Sequence, residues 1–239
     1  MPQRAVNPLL VLTAIDLEAR ELAVRLALPR LPSYPFLAFG RAAIRVAPVG
    51  PGAARLHSRW APLREGMDRP LVVSAGVCGA LDPRLRPGDL VIPAQVTATS
   101  GKTHQIPQTY HRAAAGADPT AALGHLVTTR HVVASAEAKA SLRAESGAVA
   151  VDMESAFIVE QAAESGCPAL VIRGVSDSAT EALPAELLHL VGSDGQLLRA
   201  RAISLLASRP SLLARALWLR RRTDKALGAV GRVLAALAA

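Results

Sequence analysis

Three carboxylates stand where an α/β fold would gather its chemistry. Glu18, Glu154 and Asp177 each come shortly after a short apolar run, at 9–14, 148–151 and 169–175. In an open α/β sheet, ligands bind beyond the carboxyl ends of the strands, so residues just after such runs face a shared crevice. A carboxyl group there can work as a general acid or base, and an ionised one accepts hydrogen bonds at two oxygens. Burial raises a carboxyl pKa and favours the protonated form, which we expect of Asp177. The alternative for each is a solvated acid at a helix N-terminus, a common placement.

Two glycine-bearing stretches accompany them. The run Ala75-Gly76-Val77-Cys78-Gly79-Ala80-Leu81 is small enough to let backbone approach a ligand closely. Gly50-Pro51-Gly52 has the place of a dinucleotide fingerprint, between a strand and a helix, but Arg55 stands where a third glycine would be. A tight turn is the favoured reading there. No histidine or acid adjoins Cys78 in sequence, so it reads as a small buried hydrophobe rather than a nucleophile. With two cysteines, Cys78 and Cys167, and no paired CxxC spacing, neither a disulfide framework nor a metal site is expected.

These residues need elements to hold them. Apolar runs at 9–14, 70–77, 89–97, 148–151 and 169–175 alternate with helical spacing at 18–28, 52–63, 136–146 and 153–165. Two short strands are predicted at 34–39 and 42–48, with Gly40 at the turn between them. Residues 100–120 read as a long polar loop whose Lys102, His104, Tyr110 and His111 could cover a substrate. Short apolar strands alternating with helices predict an α/β fold: three layers, α/β/α, around a mixed, largely parallel sheet. We divide the chain into a catalytic domain, 1–195, and a basic helical C-terminal extension, 196–239. His57, His125 and His189 are expected to be surface or structural residues.

The chain has 239 residues, 51% of them apolar, which provides for a sizeable core and excludes a disordered chain. Its net charge of +8 is not evenly spread. Residues 199–239 hold nine basic residues and one acid, Asp224, leaving 18 of each sign in the remainder. A nucleic-acid binder would spread basic residues over a docking face, so nucleic acid is not an expected partner. Neither a secretory leader nor a membrane-spanning run is present, and a cytoplasmic location is expected.

The stretches Val151-Asp152-Met153-Glu154-Ser155-Ala156 and Arg173-Gly174-Val175-Ser176-Asp177-Ser178-Ala179 resemble the signature of the purine nucleoside phosphorylase and nucleosidase superfamily. Gly76–Leu81 with Gly88–Val91 matches a third motif of that superfamily. Thr13-Ala14-Ile15-Asp16-Leu17-Glu18 is similar to the N-terminal motif of its methylthioadenosine/S-adenosylhomocysteine nucleosidases. The resemblance implies cleavage of the N-ribosidic bond of a purine nucleoside, without a cofactor. It implies that Asp177 protonates the purine and that Glu154 holds the ribose hydroxyls, with Met153 packed under the sugar. Glu18 would orient an attacking water, and Gly76, Val77, Val132, Val133 and Ser176 would line the base and backbone pocket. Bond cleavage of this kind builds positive charge on the sugar and negative charge on the base, which a donor at the base and an anion at the ribose would stabilise.

Phosphate-using relatives imply arginines near 18 and 74 and a serine at 77, where this chain has Glu18, Ser74 and Val77. These departures favour water, and inorganic phosphate stays open as a co-substrate. The chain further resembles the hopanoid-associated phosphorylases, in its Val151–Ser155 motif, in Gly192-Ser193-Asp194-Gly195 and in an arginine-rich tail. That implies adenosylhopane as substrate, with adenine released. A soluble methylthioadenosine/S-adenosylhomocysteine or futalosine-type hydrolase is the alternative enzyme, and a nucleoside-binding membrane-surface module the alternative without activity. The superfamily implies a homo-oligomer, often a dimer.

Pro210 separates two helical stretches, 197–207 and 211–237. In the second, Leu213, Leu217, Trp218, Leu227, Val230, Leu234 and Leu237 form an apolar stripe beside Arg220-Arg221-Arg222. Such a helix suits the inner membrane face, where we expect the protein to bind peripherally, or packs on the body. If the tail is a membrane device, a chain ending at Ser208 should still cleave a soluble nucleoside, and Asp177→Asn should fold normally while losing most activity.

Overall fold

The structure is a computed structural model that describes residues 7–182 and 210–239, with side chains of the latter segment from 217 onward. The first strand, β1 (Leu9–Thr13), is buried along its whole length, as an apolar run flanked by strands on both sides must be. The helix α1 (Asp16–Arg25) follows. The strands β2 (Phe39–Arg41) and β3 (Ile44–Pro48), a 3₁₀ turn at Pro51–Ala53 and α2 (Leu56–Arg64) come next. Then come β4 (Leu71–Ala80), β5 (Leu90–Val91), β6 (Gln95–Ala98), β7 (Thr103–Gln105) and α3 (Gln108–Ala117). The chain continues through β8 (His125–Thr128), α4 (Ala136–Ser146), β9 (Ala150–Asp152), α5 (Ser155–Glu164) and β10 (Ala169–Asp177). The last element is α6 (Pro210–Ala238).

The ten described strands form one mixed sheet within a three-layer α/β/α fold. Its path runs β2-β3-β1-β4-β9-β8-β6-β7, with β10 pairing β4 and β5. β4 is the pivot. It lies parallel to β1 on one side and to β10 on the other, then turns its last residues to β9 in antiparallel register. The carboxyl ends of β4 and β10 therefore lie side by side, β1 ends level with the middle of β4, and β9 delivers its own end beside Gly79.

Several expected elements shift. Gly40 is inside β2 opposite Arg45, not at the turn, where Ala42 takes a positive φ of 39°. A Cβ at Gly40 would approach the Ile44 carbonyl to 2.6 Å, so the glycine serves close strand packing. The run 89–97 splits into β5 and β6 around Pro93, which lacks the N–H that a ladder needs. The expected loop 100–120 holds β7 and α3 instead. β8 was not foreseen, its four residues beginning with a histidine.

The C-terminal helix corrects a larger expectation. Leu227, Val230 and Leu234 of the predicted stripe are fully buried, together with Ala226 and Val233, and Leu237 packs against the same core. The helix lies across β10 so closely that a Cβ on Gly174 would meet the Ala226 carbonyl oxygen at 2.6 Å. That half of the stripe packs on the body and is not available to a bilayer. Only the preceding part is open, with Leu217 and Trp218 52% and 42% exposed. The stretch 197–207 and residues 192–195 lie outside the described residues, as does the side chain of Leu213. Among the described residues no helix is long and apolar enough to cross a membrane.

A chain ending at Ser208 would bare the surface that α6 covers. We therefore expect it to be insoluble or unfolded rather than active. In the intact chain, Leu227→Ala should lower the urea-unfolding free energy by about 2–5 kcal/mol, the usual cost of emptying a packed leucine site. A stability within about 1 kcal/mol of wild type would mean that the helix is a loose appendage.

Candidate active site

Glu18 is anchored by backbone. Its Oε2 accepts from the N–H groups of Ala14 (2.9 Å) and Ile15 (3.1 Å), at the start of α1, and its Oε1 accepts from Val77 N–H in β4 (2.9 Å). The carboxylate thus occupies a ready-made anion position at a helix N-terminus. Beside it stands Arg173, a fully buried guanidinium in the middle of β10. Its Nη2 donates to Ser74 Oγ (2.8 Å) and Ser155 Oγ (3.0 Å) and pairs with Asp152 Oδ2 at 2.7 Å. Its Nη1 is buried without a hydrogen-bond partner among the described residues. Gly76 makes the meeting of the two groups feasible: a Cβ there would fall 2.5 Å from Glu18 Oε1 and 2.8 Å from Arg173 Nη1.

Glu154, buried just before α5, reaches into the same cluster. Its Oε1 accepts from Gly52 N–H at 2.9 Å, and its Oε2 lies 3.8 Å from Arg173 Nη2. The 3₁₀ turn at Gly52, with φ of 62°, is thus what presents the N–H to Glu154. Asp152 accepts from Thr128 Oγ1 (2.6 Å) and from Ser155 N–H (3.0 Å), which fixes it as the counter-charge of Arg173.

Asp177 ends β10, after a register shift beyond Val175 and opposite Gly79. A Cβ on Gly79 would come within 3.1 Å of Asp177 Oδ2. Ser176 Oγ lies 2.6 Å from Asp177 Oδ1 and 3.1 Å from the Cys78 carbonyl. On the other oxygen, Oδ2, sits Lys139 Nζ at 2.5 Å, and Lys139 is fully buried. The sequence predicts burial around Asp177 but not this lysine, which reaches the same carboxylate. Asp177→Asn is also not expected to fold as wild type. It would leave the ammonium without its counter-charge, a loss of about 3–5 kcal/mol for a buried pair.

The remaining expected residues are placed as follows. Met153 is half-buried in the bend between β9 and α5, next to Glu154, and Val77 is half-buried beside Glu18. Val133 packs against a small satellite cluster of Leu81, Val127, Ala148 and Val151, and Val132 is 42% exposed, so the structure does not bring these two to the carboxylates by any described contact. Three of the four would-be covering residues are engaged elsewhere, whereas His104 Nε2 is buried without a hydrogen-bond partner among the described residues. Lys102 pairs with Glu160, Tyr110 Oη accepts from Asn7 Nδ2, and His111 Nε2 lies 3.0 Å from the Ile92 carbonyl. His125 sits between Thr97 Oγ1 and the Ser146 carbonyl, a structural position.

Sequence reasoning passed over Arg173, Asp152 and Lys139. Arg173 had a signal: a lone cation inside a nine-residue apolar strand requires acids around it. Lys139 had little more than the rarity of lysine, since α4 reads as an ordinary alanine-rich helix.

Burial pushes the pKa of Glu18 up from its ordinary value, opposed by the charge of Arg173 and the bonds from Val77, Ile15 and Ala14. Burial also raises Glu154, opposed by Arg173, while Asp152 and Glu18 add to the rise. Burial works against the Arg173 cation, but Asp152, Glu154 and Glu18 hold its pKa above the usual value. Burial drives the Cys78 thiol well up, as suits an inert side chain.

Fold and site together define an α/β enzyme with a buried carboxylate–guanidinium centre among adjoining strands. The family model of the Phosphorylase superfamily matches residues 66–208, more than half of the chain. The chain belongs to this superfamily, and it is an enzyme of the nucleoside phosphorylase or nucleosidase kind. The fold is similar to that of Helicobacter pylori 5′-methylthioadenosine/S-adenosylhomocysteine nucleosidase, at 19% identity and a TM-score of 0.71 over 98% of each chain. Futalosine hydrolase of the same organism is similar at 18% identity and a TM-score of 0.72, over 98% of this chain and 97% of that one. The Neisseria meningitidis 5′-methylthioadenosine/S-adenosylhomocysteine nucleosidase gives 21% and 0.69, over 97% and 98%. Among curated protein sequences none matches.

The raised pKa of Glu154 has a consequence for stability. Below the ordinary value of 4.5 both folded and unfolded chains hold the proton. As pH rises through it, the unfolded chain releases the proton first, so the folded state binds more protons and loses stability. Glu154→Gln removes this dependence and keeps an acceptor for Gly52. Its Tm should exceed that of wild type at about pH 8, with a margin that shrinks towards about pH 5, at roughly 2–4 °C per kcal/mol for a chain of this size. A margin independent of pH would show that Glu154 is not held as described.

Proposed function

We propose that the protein hydrolyses the N-ribosidic bond of an adenine nucleoside. The observation that carries this reading is the meeting of Glu18 and Arg173 Nη1 over Gly76. A base and a donor without a hydrogen-bond partner, side by side, suit a water molecule bound next to both, which needs an acceptor for its protons and a donor for its oxygen. Glu18 accepts the proton of the attacking water as its oxygen bonds to the ribosyl carbon. Glu154 receives the ribose hydroxyls, Met153 borders the sugar, and Asp177 stands at the base. Gly76, Val77 and Ser176 line the pocket between them.

The same geometry bears on phosphate. The N–H groups of Ala14, Ile15 and Val77 are those an anion would use, and the carboxylate of Glu18 already takes them. A phosphate dianion would face that carboxylate and Glu154 together, which is repulsive at short range in a poorly screened site. Water is therefore the acceptor in our reading.

For the substrate's 5′ side we propose the lipid-linked nucleoside adenosylhopane, on the motif resemblance to the hopanoid-associated branch. The second reading is a small 5′-thioadenosine, supported by the fold likeness to methylthioadenosine/S-adenosylhomocysteine nucleosidases over nearly the whole chain. A lipid-linked substrate places the protein at the inner membrane surface. The exposed Leu217 and Trp218 with Arg220 and Arg221 are the residues to meet it. We propose a homo-oligomer, with a dimer favoured.

Adenine release should proceed equally with and without phosphate and leave a free sugar hydroxyl at C1′, identified by mass spectrometry. Glu18→Gln should lower kcat about a hundredfold or more with little change in KM. A phosphate-dependent rate yielding a ribosyl 1-phosphate, with Glu18→Gln unaffected, would sink the water reading. For the membrane, sedimentation with anionic vesicles should show binding that salt weakens and that Trp218→Ala reduces. Failure of the wild-type protein to bind at low salt would leave the small, soluble substrate as the better reading.

A further inference from the structure

Lys139 is the largest buried cation outside the Glu18–Arg173 cluster, and its surroundings are unusual for a structural lysine. It lies on α4 with no solvent exposure. Its Nζ donates to Asp177 Oδ2 at 2.5 Å, to the Ser178 carbonyl at 2.8 Å and to the Glu181 carbonyl at 3.0 Å. Three acceptors match the three N–H bonds of an ammonium, whereas a neutral amine has only two. Asp177 meanwhile has an acceptor contact on each oxygen, Ser176 on Oδ1 and Lys139 on Oδ2. Both carboxyl oxygens are thus engaged by donors, and expulsion of an adenine anion demands a proton at the base.

We propose that Lys139 is the positioning residue through which Asp177 delivers the proton to the leaving base. This rests on the functional reading above and deepens it. As the C1′–N bond breaks, its electron pair goes to the purine. A proton passes from Asp177 to a purine nitrogen, while an ammonium proton of Lys139 moves across the short contact to Asp177 Oδ2. The base leaves neutral, Asp177 ends as a carboxylate, and Lys139 ends as an amine. The attacking water has by then transferred one proton to Glu18, so that Glu18 holds one proton more and Lys139 one fewer. Exchange with solvent on product release restores both.

The segment after Asp177 supports the arrangement. Glu181 Oε2 accepts from Ser178 N–H at 3.0 Å and pairs with Arg222 of α6 at 2.6 Å. The two carbonyls that orient Lys139 are thus themselves held, and Nζ stays directed at Oδ2. A purely structural lysine needs only charge compensation, and any nearby carboxylate would provide it. This one is aimed at the carboxylate that the sequence motif places at the base.

The test separates base expulsion from bond cleavage as such. A riboside whose leaving group is 4-nitrophenolate departs without needing a proton, and an adenine nucleoside does not. Lys139→Met should lower kcat for adenine release by about a hundredfold while its kcat for nitrophenolate release falls only a few-fold. Equal losses on both substrates, or unimpaired adenine release, would overturn the role. Because Lys139→Met leaves Asp177 buried without its partner, the neutral double variant Lys139→Met/Asp177→Asn is measured beside it. Relative to Asp177→Asn alone, the added Lys139→Met should cost adenine release less than about threefold, as for residues that act in one step. Losses that multiply would overturn the proposal. A wild-type protein that releases no base from any purine nucleoside overturns the functional reading, and the role of Lys139 with it. Adenine release with equal losses on the two substrates overturns the role of Lys139 alone.

Discussion

A guanidinium in the middle of an apolar strand has to be compensated from within the protein, because isolated charge is far too costly to bury. Arg173 is that guanidinium, and much of the architecture around the site can be derived from its needs. Asp152 provides the close counter-charge and is itself held by Thr128 and the first N–H of α5. Ser74 of β4 and Ser155 of α5 fill two further donor directions. Glu18 and Glu154 stand at the remaining side. The interiors of β4 and β10, the end of β9 and the starts of α1 and α5 are thereby tied to one cation. β4 keeps β10 along one edge while its other edge passes from β1 to β9, and this brings those elements together.

The balance of charge in this cluster is deliberately incomplete in one sense. Three acids face one arginine, and two of them, Glu18 and Glu154, are pushed up in pKa by their burial. An apolar filling of the same volume would be at least as stable. What the carboxylates add is a set of directed acceptors packed against bare glycine backbone, at the expense of stability. Such conflicts between local stability and arrangement are expected where chemistry is done.

Much of this was legible in the residues. The runs that became β1, β4, β9 and β10 are apolar because both faces of those strands are covered, and α4 matched its predicted limits of 136–146 because Ser135 caps it and Gly147 ends it in a left-handed turn. The carboxylates were legible because each sits next to a strand end. What escaped was long-range. Nothing near Lys139 in sequence announces Asp177, 38 residues away. The stripe on α6 announced an apolar partner without saying which. Periodicity is the same for a helix on a bilayer and a helix on β10, and the close approach of Gly174 to Ala226 is visible only in three dimensions.

That last helix also connects the two halves of the site. Along one face its apolar residues cover β10, the strand that carries both Arg173 and Asp177. One turn earlier, Arg222 holds Glu181, with the Trp218 ring 3.4 Å from its guanidinium carbon. Glu181 in turn fixes the segment that orients Lys139. The basic character of the C-terminal region therefore has two separate physical origins. Arg222 and Lys225 are tied to the body by hydrogen bonds, the latter reaching the Pro87 carbonyl from an exposed position. Arg220 and Arg221 are exposed beside Leu217 and Trp218. Counting charge over the tail merges these groups, whereas their contacts separate them. The charges that tie this helix to the body are distinct from those left to meet a surface, and the Trp218 ring, stacked on Arg222, links the two groups.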